Sequence, residues 1–134
     1  MSFDAMLDTN VVSNLLRYPK GPVNTRLRQL GEGKSCVSII TAAELLFGAR
    51  RVGSSRLERD LTAILSVVPP VPFEEPAASA YADIRSTLEA RGTPIGPNDL
   101  LIAAHAMSLD LTLVTANVRE FSRVPGLKVE NWLD

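Results

Sequence analysis

Short apolar runs alternate along the chain with longer segments in which apolar residues recur every three or four positions. The short runs predict strands, and the recurring pattern predicts amphipathic helices. Proline and glycine clusters separate the segments. The predicted strands cover residues 3–7, 36–40, 71–73, 111–115 and 127–130. The predicted helices cover residues 9–17, 23–30, 41–51, 57–67, 77–91, 99–109 and 118–121.

The predicted strands are apolar without strict alternation, which is typical of strands buried on both faces. Strands that alternate with helices favour a parallel sheet between two helical layers. Residues 99–109 are apolar on almost every side and predict a buried helix. We therefore expect one three-layer α/β/α domain over residues 1–134, with a mostly parallel sheet. Ligands of such sheets bind beyond the carboxyl ends of the strands.

Composition narrows the chemistry and the location. The 134 residues are 46% hydrophobic and 22% charged, as in ordinary globular proteins. Neither a membrane-spanning run nor the basic and apolar regions of a signal peptide stand out, so we expect a cytoplasmic protein without membrane contact. One cysteine and one histidine exclude a disulfide framework and a zinc site built from several such ligands. We expect Cys36 and His105 to be buried, and Trp132 to pack the C-terminus against the domain.

The net charge of −1 hides an uneven distribution. Residues 17–60 contain nine basic and four acidic residues, and eleven of the fourteen basic residues in the chain are arginine. Arginine suits bidentate phosphate contacts, so this region is a candidate RNA-backbone contact. A solvated basic surface without a partner explains the same asymmetry equally well.

Three carboxylates stand among apolar neighbours at the start of predicted helices. They are Asp8 after the first strand, Glu44 after the second strand, and Asp99 at the start of the buried helix. Each is also a reasonable helix-capping residue, and Thr41 with Glu44 matches a capping box. Three carboxylates at one edge of a sheet repel each other unless a cation lies between them, and oxygen ligands alone select Mg²⁺ or Mn²⁺.

A fourth position follows the Leu111–Thr115 run. Thr115 ends that predicted strand, and Asn117 is expected to point into the same crevice or to cap the short helix behind it. Both interpretations are compatible.

These residues lie in five ordered segments that resemble the PIN-domain family, and within it the VapC toxins of bacterial type II toxin–antitoxin modules. The segments are MLDTN at residues 6–10, TAAELLFGA at 41–49, GTPIGPNDLLIA at 92–103, LVTANVREF at 113–121 and VPGLKVENW at 124–132. The resemblance extends over the whole chain.

The resemblance implies a PIN domain with Mg²⁺-dependent endoribonuclease activity, in which Mn²⁺ substitutes for Mg²⁺. It implies catalytic roles for the positions Asp8, Glu44, Asp99 and Asn117, with Asp8 and Asp99 as metal ligands. Thr9, Asn10 and Thr115 are then expected to support these groups or to bind phosphate oxygens.

The resemblance also implies partners. It predicts a VapB-type antitoxin that blocks the site and carries the DNA-binding function, a structured RNA substrate such as tRNA, inhibition of translation, and a homodimer. Operator DNA is then reached only through the antitoxin.

One departure from the family pattern bears on the metal. A carboxylate often stands in the family where this chain has Asn117, so the sequence predicts one firmly held metal rather than two. Glu120, one helical turn further on, is the alternative fourth carboxylate.

Other functions fit the residues less well. A haloacid-dehalogenase-type phosphatase needs a second aspartate where Asn10 stands, and a receiver domain needs an acidic pair after the first strand. A PIN-fold module that binds RNA or protein without catalysis is the main alternative to the nuclease. The intact set of Asp8, Glu44 and Asp99 argues against it, and EDTA-sensitive RNA cleavage would distinguish the two.

Overall fold

The computed structural model describes residues 2–133 as a five-stranded sheet with seven helices. The strands are β1 (Ala5–Leu7), β2 (Ser35–Ser38), β3 (Pro70–Val71), β4 (Thr112–Val114) and β5 (Val129–Glu130). The helices are α1 (Thr9–Arg17), α2 (Pro22–Leu30), α3 (Ile39–Val52), α4 (Ser55–Val67), α5 (Glu75–Ala90), α6 (Pro97–Ser108) and α7 (Val118–Phe121). The predicted alternation of strands and helices is confirmed.

All strand pairs are parallel, in the order β3-β2-β1-β4-β5. The chain builds outward from β1 to β2 and β3, and then adds β4 and β5 on the other side. A crevice therefore opens between the carboxyl ends of β1 and β4, where the strand order reverses. Asp8 lies at this point, and its backbone N–H donates to the carbonyl of Val114 at 2.8 Å.

Alternate residues of the central strands face two separate apolar cores. Ala5 and Leu7 of β1 pack against α1, α3 and α4, while Met6 packs against α5, α6 and α7. The strands are thus buried on both faces, as their continuous apolar character predicts. The three-layer α/β/α arrangement is confirmed.

The structure corrects several element boundaries. Residues 39 and 40, which were predicted to end the second strand, begin α3 because the Ser38 hydroxyl caps this helix and accepts from Ile40 N at 3.1 Å. The observed strands are shorter than predicted, and β3 lies at Pro70–Val71 rather than at residues 71–73. Helices α1 and α7 have the predicted bounds.

The predicted capping box at Thr41 and Glu44 is wrong. Because α3 begins at Ile39, Thr41 lies inside its first turn and Glu44 follows in the second. Thr41 is fully buried, and Glu44 is hydrogen-bonded to other helices rather than to the α3 backbone. Because the Glu44 carboxylate does not cap α3, it can take part in a site in the crevice.

Cys36, His105 and Trp132 are buried, as predicted. Burial raises the pKa of the Cys36 thiol to about 12, so the thiol stays protonated at neutral pH. His105 Nδ1 lies 2.7 Å from Ser38 Oγ, and burial lowers the pKa of this imidazole. Trp132 Nε1 donates to Glu130 at 3.0 Å. None of the helices described over residues 2–133 is both long and apolar enough to cross a bilayer.

Candidate active site

The three carboxylates singled out from the sequence line one cavity of about 450 Å³. Asp8 arrives from the end of β1, Glu44 from the second turn of α3, and Asp99 from the first turn of α6. The wall also includes neutral polar side chains of α1 and one arginine, Arg17. The packing of α1, α3 and α6 around the strand ends thus joins residues that are far apart in sequence.

Asp8 is the most enclosed of the three, with 3% of its surface exposed. Its Oδ1 accepts from Thr9 N at 2.8 Å, and its Oδ2 accepts from Thr115 Oγ1 at 2.8 Å and Asn10 Nδ2 at 3.1 Å. Burial raises the pKa of Asp8, and these three hydrogen bonds oppose the rise. The network orients both carboxylate oxygens.

Thr9, Asn10 and Thr115 therefore lie where the sequence placed them, around the carboxylates. Asn10 Oδ1 also accepts from Ala116 N at 3.1 Å, and Thr115 Oγ1 accepts from Asn117 N at 3.0 Å. The Ala116–Asn10 bond, like the Thr115–Asp8 bond, connects the residues after β1 with the loop after β4, so the two sides of the crevice are held together. Binding of phosphate oxygens by these residues stays a prediction.

Glu44 is hydrogen-bonded from two sides. Thr9 Oγ1 donates to Oε1 at 2.6 Å, and Asn98 Nδ2 donates to Oε2 at 3.0 Å. Asn98 was not identified from the sequence, since nothing local pairs it with a residue 54 positions away. The only available signal was its place beside Asp99.

Asn117 lies at the N-terminal end of α7, but its side chain makes no capping bond. Its Nδ2 donates instead to the Glu120 carboxylate, whose Oε1 accepts from Gly96 N at 2.9 Å. Asp99 Oδ2 and Glu120 Oε1 both lie within 4 Å of the position that a Cβ atom would take at Gly96. Glu120 therefore lies next to the acidic cluster. The Asn117 side chain is connected to that cluster through its hydrogen bond to Glu120.

Asp99 carries the strongest electrostatic signature of the cluster. Burial, the neighbouring Glu120 carboxyl group and the charges of Asp8 and Glu44 together raise its pKa to about 7. Carboxylates crowded in this way favour a bound proton or a cation. The group of carboxylates formed by Asp8, Glu44, Asp99 and Glu120 therefore carries negative charge that a cation would neutralise.

The donor set fits a hard cation in its chemistry, because all the side chains concerned are oxygen donors. In addition, Asn14 Oδ1 is buried in the wall of the same cavity and has no hydrogen-bond partner within residues 2–133. Over these same residues, no three His, Cys, Asp or Glu side chains are close enough together to enclose a metal ion. The donor chemistry therefore suits Mg²⁺, although the spacing of the carboxylates does not by itself enclose an ion.

A second cavity of about 420 Å³ continues from the acidic one between α1, α3 and α4. Thr9, Ser13, Arg17 and Glu44 line both cavities. The other lining residues are mostly apolar: Leu16, Leu45, Gly48, Ala49, Leu57 and Leu61. An apolar groove thus leads directly to the carboxylates.

Comparison with known proteins identifies relatives over nearly the full length. The PIN domain family model matches residues 5–127. The chain is 39% identical to the tRNA(fMet)-specific endonuclease VapC of Shigella flexneri, covering 95% of this chain and 96% of that one. It is 40% identical to Ribonuclease VapC2 of Haemophilus influenzae, covering 96% and 97% of the two chains.

The fold is matched equally well among solved structures. A chain from the crystal structure of VapBC2 from Rickettsia felis, bound to a DNA fragment from their promoter, superposes with a TM-score of 0.91 at 34% identity. The match covers 98% of this chain and 99% of that chain. Sequence and structure therefore point to the same family.

Proposed function

The chain belongs to the PIN domain family and, within it, to the VapC ribonucleases, and from this premise we propose that it is a Mg²⁺-dependent endoribonuclease toxin that cleaves tRNA and thereby inhibits translation in the cytoplasm. The observation that carries the proposal is the single cavity lined by Asp8, Glu44 and Asp99 at the carboxyl ends of parallel strands. The name of the Shigella flexneri relative specifies tRNA(fMet), which makes initiator tRNA the first substrate to test.

Asp8 and Asp99 are the residues that would hold Mg²⁺. The hydrogen bonds from Thr9, Asn10 and Thr115 keep the Asp8 oxygens directed into the cavity. A bound Mg²⁺ would neutralise charge on the scissile phosphate and lower the pKa of a water molecule. Since Glu120 adjoins Asp99 and Asn117 anchors Glu120, these two residues set the charge and orientation of Asp99.

Glu44 is the proposed general base. It orients the attacking water and accepts its proton as the water oxygen bonds to phosphorus. The bond between phosphorus and the 3′ oxygen breaks, and this oxygen takes up a proton from solvent, which leaves a 5′-phosphate and a 3′-hydroxyl. The 2′-hydroxyl of the RNA does not need to act as a nucleophile.

The proposal is tested by incubating the purified protein with initiator tRNA and with other tRNAs in Mg²⁺. We expect cleavage that EDTA abolishes and added Mg²⁺ restores, read on denaturing gels, with 5′-phosphate at the new ends. Binding of tRNA without cleavage at any Mg²⁺ concentration would contradict the proposal and favour a non-catalytic binding module.

The partner we propose is a VapB-type antitoxin whose apolar helix lies in the groove between α1, α3 and α4. A basic side chain of that helix would reach Glu44 and the acidic cavity, because Thr9 and Glu44 belong to both cavities. Operator DNA is bound through the antitoxin. The Rickettsia felis VapBC2 structure contains a DNA fragment from their promoter, which supports DNA binding by a toxin–antitoxin complex of this kind.

Gly48 provides a test of this partner surface. A Cβ atom added at Gly48 meets nothing within 4 Å, and Gly48 lines the groove, so we expect the Gly48→Leu side chain to extend into the groove. We expect antitoxin affinity to fall about tenfold or more, because the fit of apolar side chains is lost. RNA cleavage is retained, and stability is unchanged or higher because leucine favours helix more than glycine does.

The Gly48→Leu measurement is titration of the variant with the cognate antitoxin, followed by calorimetry. Ala82→Leu, at an exposed position of α5, serves as the matched control. Unchanged antitoxin affinity in Gly48→Leu would place the partner elsewhere.

We also propose a homodimer. Phe47 and Val52 of α3 are 65% and 69% exposed, which leaves apolar area available for a second copy. Sedimentation equilibrium measures the association directly, and a monomer at all concentrations would exclude it.

Metal titration distinguishes the roles of Asn117 and Glu120. We expect one strong Mn²⁺ site in the wild type and tighter binding in Asn117→Asp, which adds a carboxylate. Because Glu120 adjoins Asp99, Glu120→Gln should weaken Mn²⁺ binding about three- to tenfold through the loss of one nearby charge.

The Mn²⁺ titration is followed by calorimetry, with Asp83→Asn on the exposed face of α5 as the charge-matched control. Two equally tight sites in the wild type would contradict the single-metal expectation. Unchanged affinity in Glu120→Gln would confine the metal to Asp8 and Asp99.

A further inference from the structure

Glu44 is hydrogen-bonded to the first turns of two different helices, one at each carboxylate oxygen. Thr9, the first residue of α1, donates its hydroxyl to Oε1, and Asn98, in the first turn of α6, donates its amide to Oε2. Both donors are neutral, so they orient the carboxylate without neutralising it. Two bonds to different oxygens restrict rotation of the carboxylate plane, which one bond does not.

Helix α6 does not depend on the Asn98 side chain for its own N-terminal cap. The residue before α6 is Gly96, and no side chain forms a capping bond there. The side-chain amide of Asn98 donates instead to Glu44, which is 54 positions away in sequence. Asn98 makes this bond although it is exposed to solvent. An exposed asparagine in the first turn of a helix does not fill space in the core. The long-range hydrogen bond to Glu44 is therefore the contact that distinguishes Asn98.

We propose that Asn98 is a positioning residue that, together with Thr9, fixes the orientation in which Glu44 accepts the proton of the attacking water. The inference rests on the proposed ribonuclease function and extends it to a residue outside the carboxylate cluster. Asn98 acts through Glu44 and not on the RNA. Its removal therefore lowers the rate of the chemical step, since a rotated base is badly aligned with the water.

The test is a double-mutant cycle on tRNA cleavage with Asn98→Ala, Glu44→Gln and the combined variant. We expect Asn98→Ala to lower kcat about three- to tenfold, which is less than the full effect of a hydrogen bond to a charged group because the site is partly exposed. The KM for tRNA stays within about twofold. In the Glu44→Gln background, Asn98→Ala has no further effect, because the base it positions is gone.

Two controls separate positioning from other roles. Asn24→Ala makes the same change in the first turn of α2, which also begins with proline, and leaves kcat unchanged. Asn98→Leu keeps the approximate volume but has no donor, so it should match Asn98→Ala. The affinity of Asn98→Ala for Mn²⁺, measured by calorimetry without RNA, stays at the wild-type value.

Several results would overturn the proposal. A raised KM with unchanged kcat would make Asn98 an RNA contact, and equal rate losses in the wild-type and Glu44→Gln backgrounds would show that it does not act through Glu44. Weakened Mn²⁺ binding in Asn98→Ala would make it a support of the metal site. A wild-type protein that cleaves no tRNA would overturn the ribonuclease function and this inference together, whereas each of the other results overturns the inference alone.

Discussion

Replacement of Asp8 with alanine is expected to abolish RNA cleavage while the domain stays folded. Asp8 lies at the reversal point of the strand order, and three hydrogen bonds direct its oxygens. Asp8 acts as one unit with the other carboxylates, and removal of one member of such a unit lowers the reaction rate about a thousandfold or more. The expected loss is therefore in kcat, and cells that express the variant should grow without the antitoxin.

The stability of Asp8→Ala depends on two opposing effects. Removal of a buried carboxylate relieves desolvation and repulsion from Glu44, which together raise the pKa of Asp8. The variant also loses the side-chain contact to Thr9 N at the start of α1, and it leaves the buried Thr115 hydroxyl without its acceptor. Loss of such a cap costs about 1 kcal/mol, so the net change in the free energy of unfolding should be small.

The measurements for Asp8→Ala are tRNA cleavage kinetics and thermal unfolding followed by circular dichroism. Asp4→Ala is the matched control, because Asp4 is exposed just before β1 and outside the cavity. A folded Asp8→Ala protein with wild-type activity would remove Asp8 from the site.

Asp99→Asn is expected to lose cleavage and to remove one pH dependence of stability. Burial and neighbouring carboxylates raise the pKa of Asp99 from 3.8 to about 7. Well below pH 3.8 this carboxyl is protonated in both folded and unfolded protein. As pH rises from 4 to 7, the unfolded chain releases the proton first, so the metal-free fold loses stability; above pH 7 the loss is complete.

The Asp99→Asn variant cannot undergo this loss. At pH 8 without metal it should be more stable than the wild type by about 1–2 kcal/mol, a figure reduced for the partial exposure of Asp99. Near pH 3, about one unit below the unfolded-state pKa, the two proteins should be almost equally stable. Mg²⁺ should stabilise the wild type at pH 8 and have little effect on the variant, because binding to the folded state alone shifts the unfolding equilibrium.

Urea unfolding at several pH values, with and without Mg²⁺, measures these differences. Asp83→Asn, on an exposed face of α5, controls for the loss of one negative charge. Equal stability of Asp99→Asn and the wild type at pH 8 would show that Asp99 is not crowded in solution.

The order of strands and helices follows from local sequence, and so do the positions of the chemically important residues. Helices α1 and α7 have the predicted bounds because residues next to each helix in sequence determine where the helix begins and ends. Asp8 and Asp99 were identifiable because both mark the start of a helix, where a local pattern places them at one edge of a parallel sheet.

The contacts of the site were decided by tertiary structure. The start of α3 was misplaced because Ile39 and Ile40 favour a strand by propensity, whereas the Ser38 hydroxyl caps a helix there. Capping geometry depends on one hydrogen bond that the apolar pattern does not reveal.

The sequence by itself thus determined the layered α/β/α fold, the family and the carboxylates that face the crevice, because periodicity and short motifs are local properties. Only the tertiary structure decided that Asn98 reaches Glu44 and that Glu120 reaches Asp99. These pairs join residues from separate helices, and their distances depend on how α3, α6 and α7 pack over the sheet. Packing of that kind is settled by the whole core at once, so no single segment of sequence contains it.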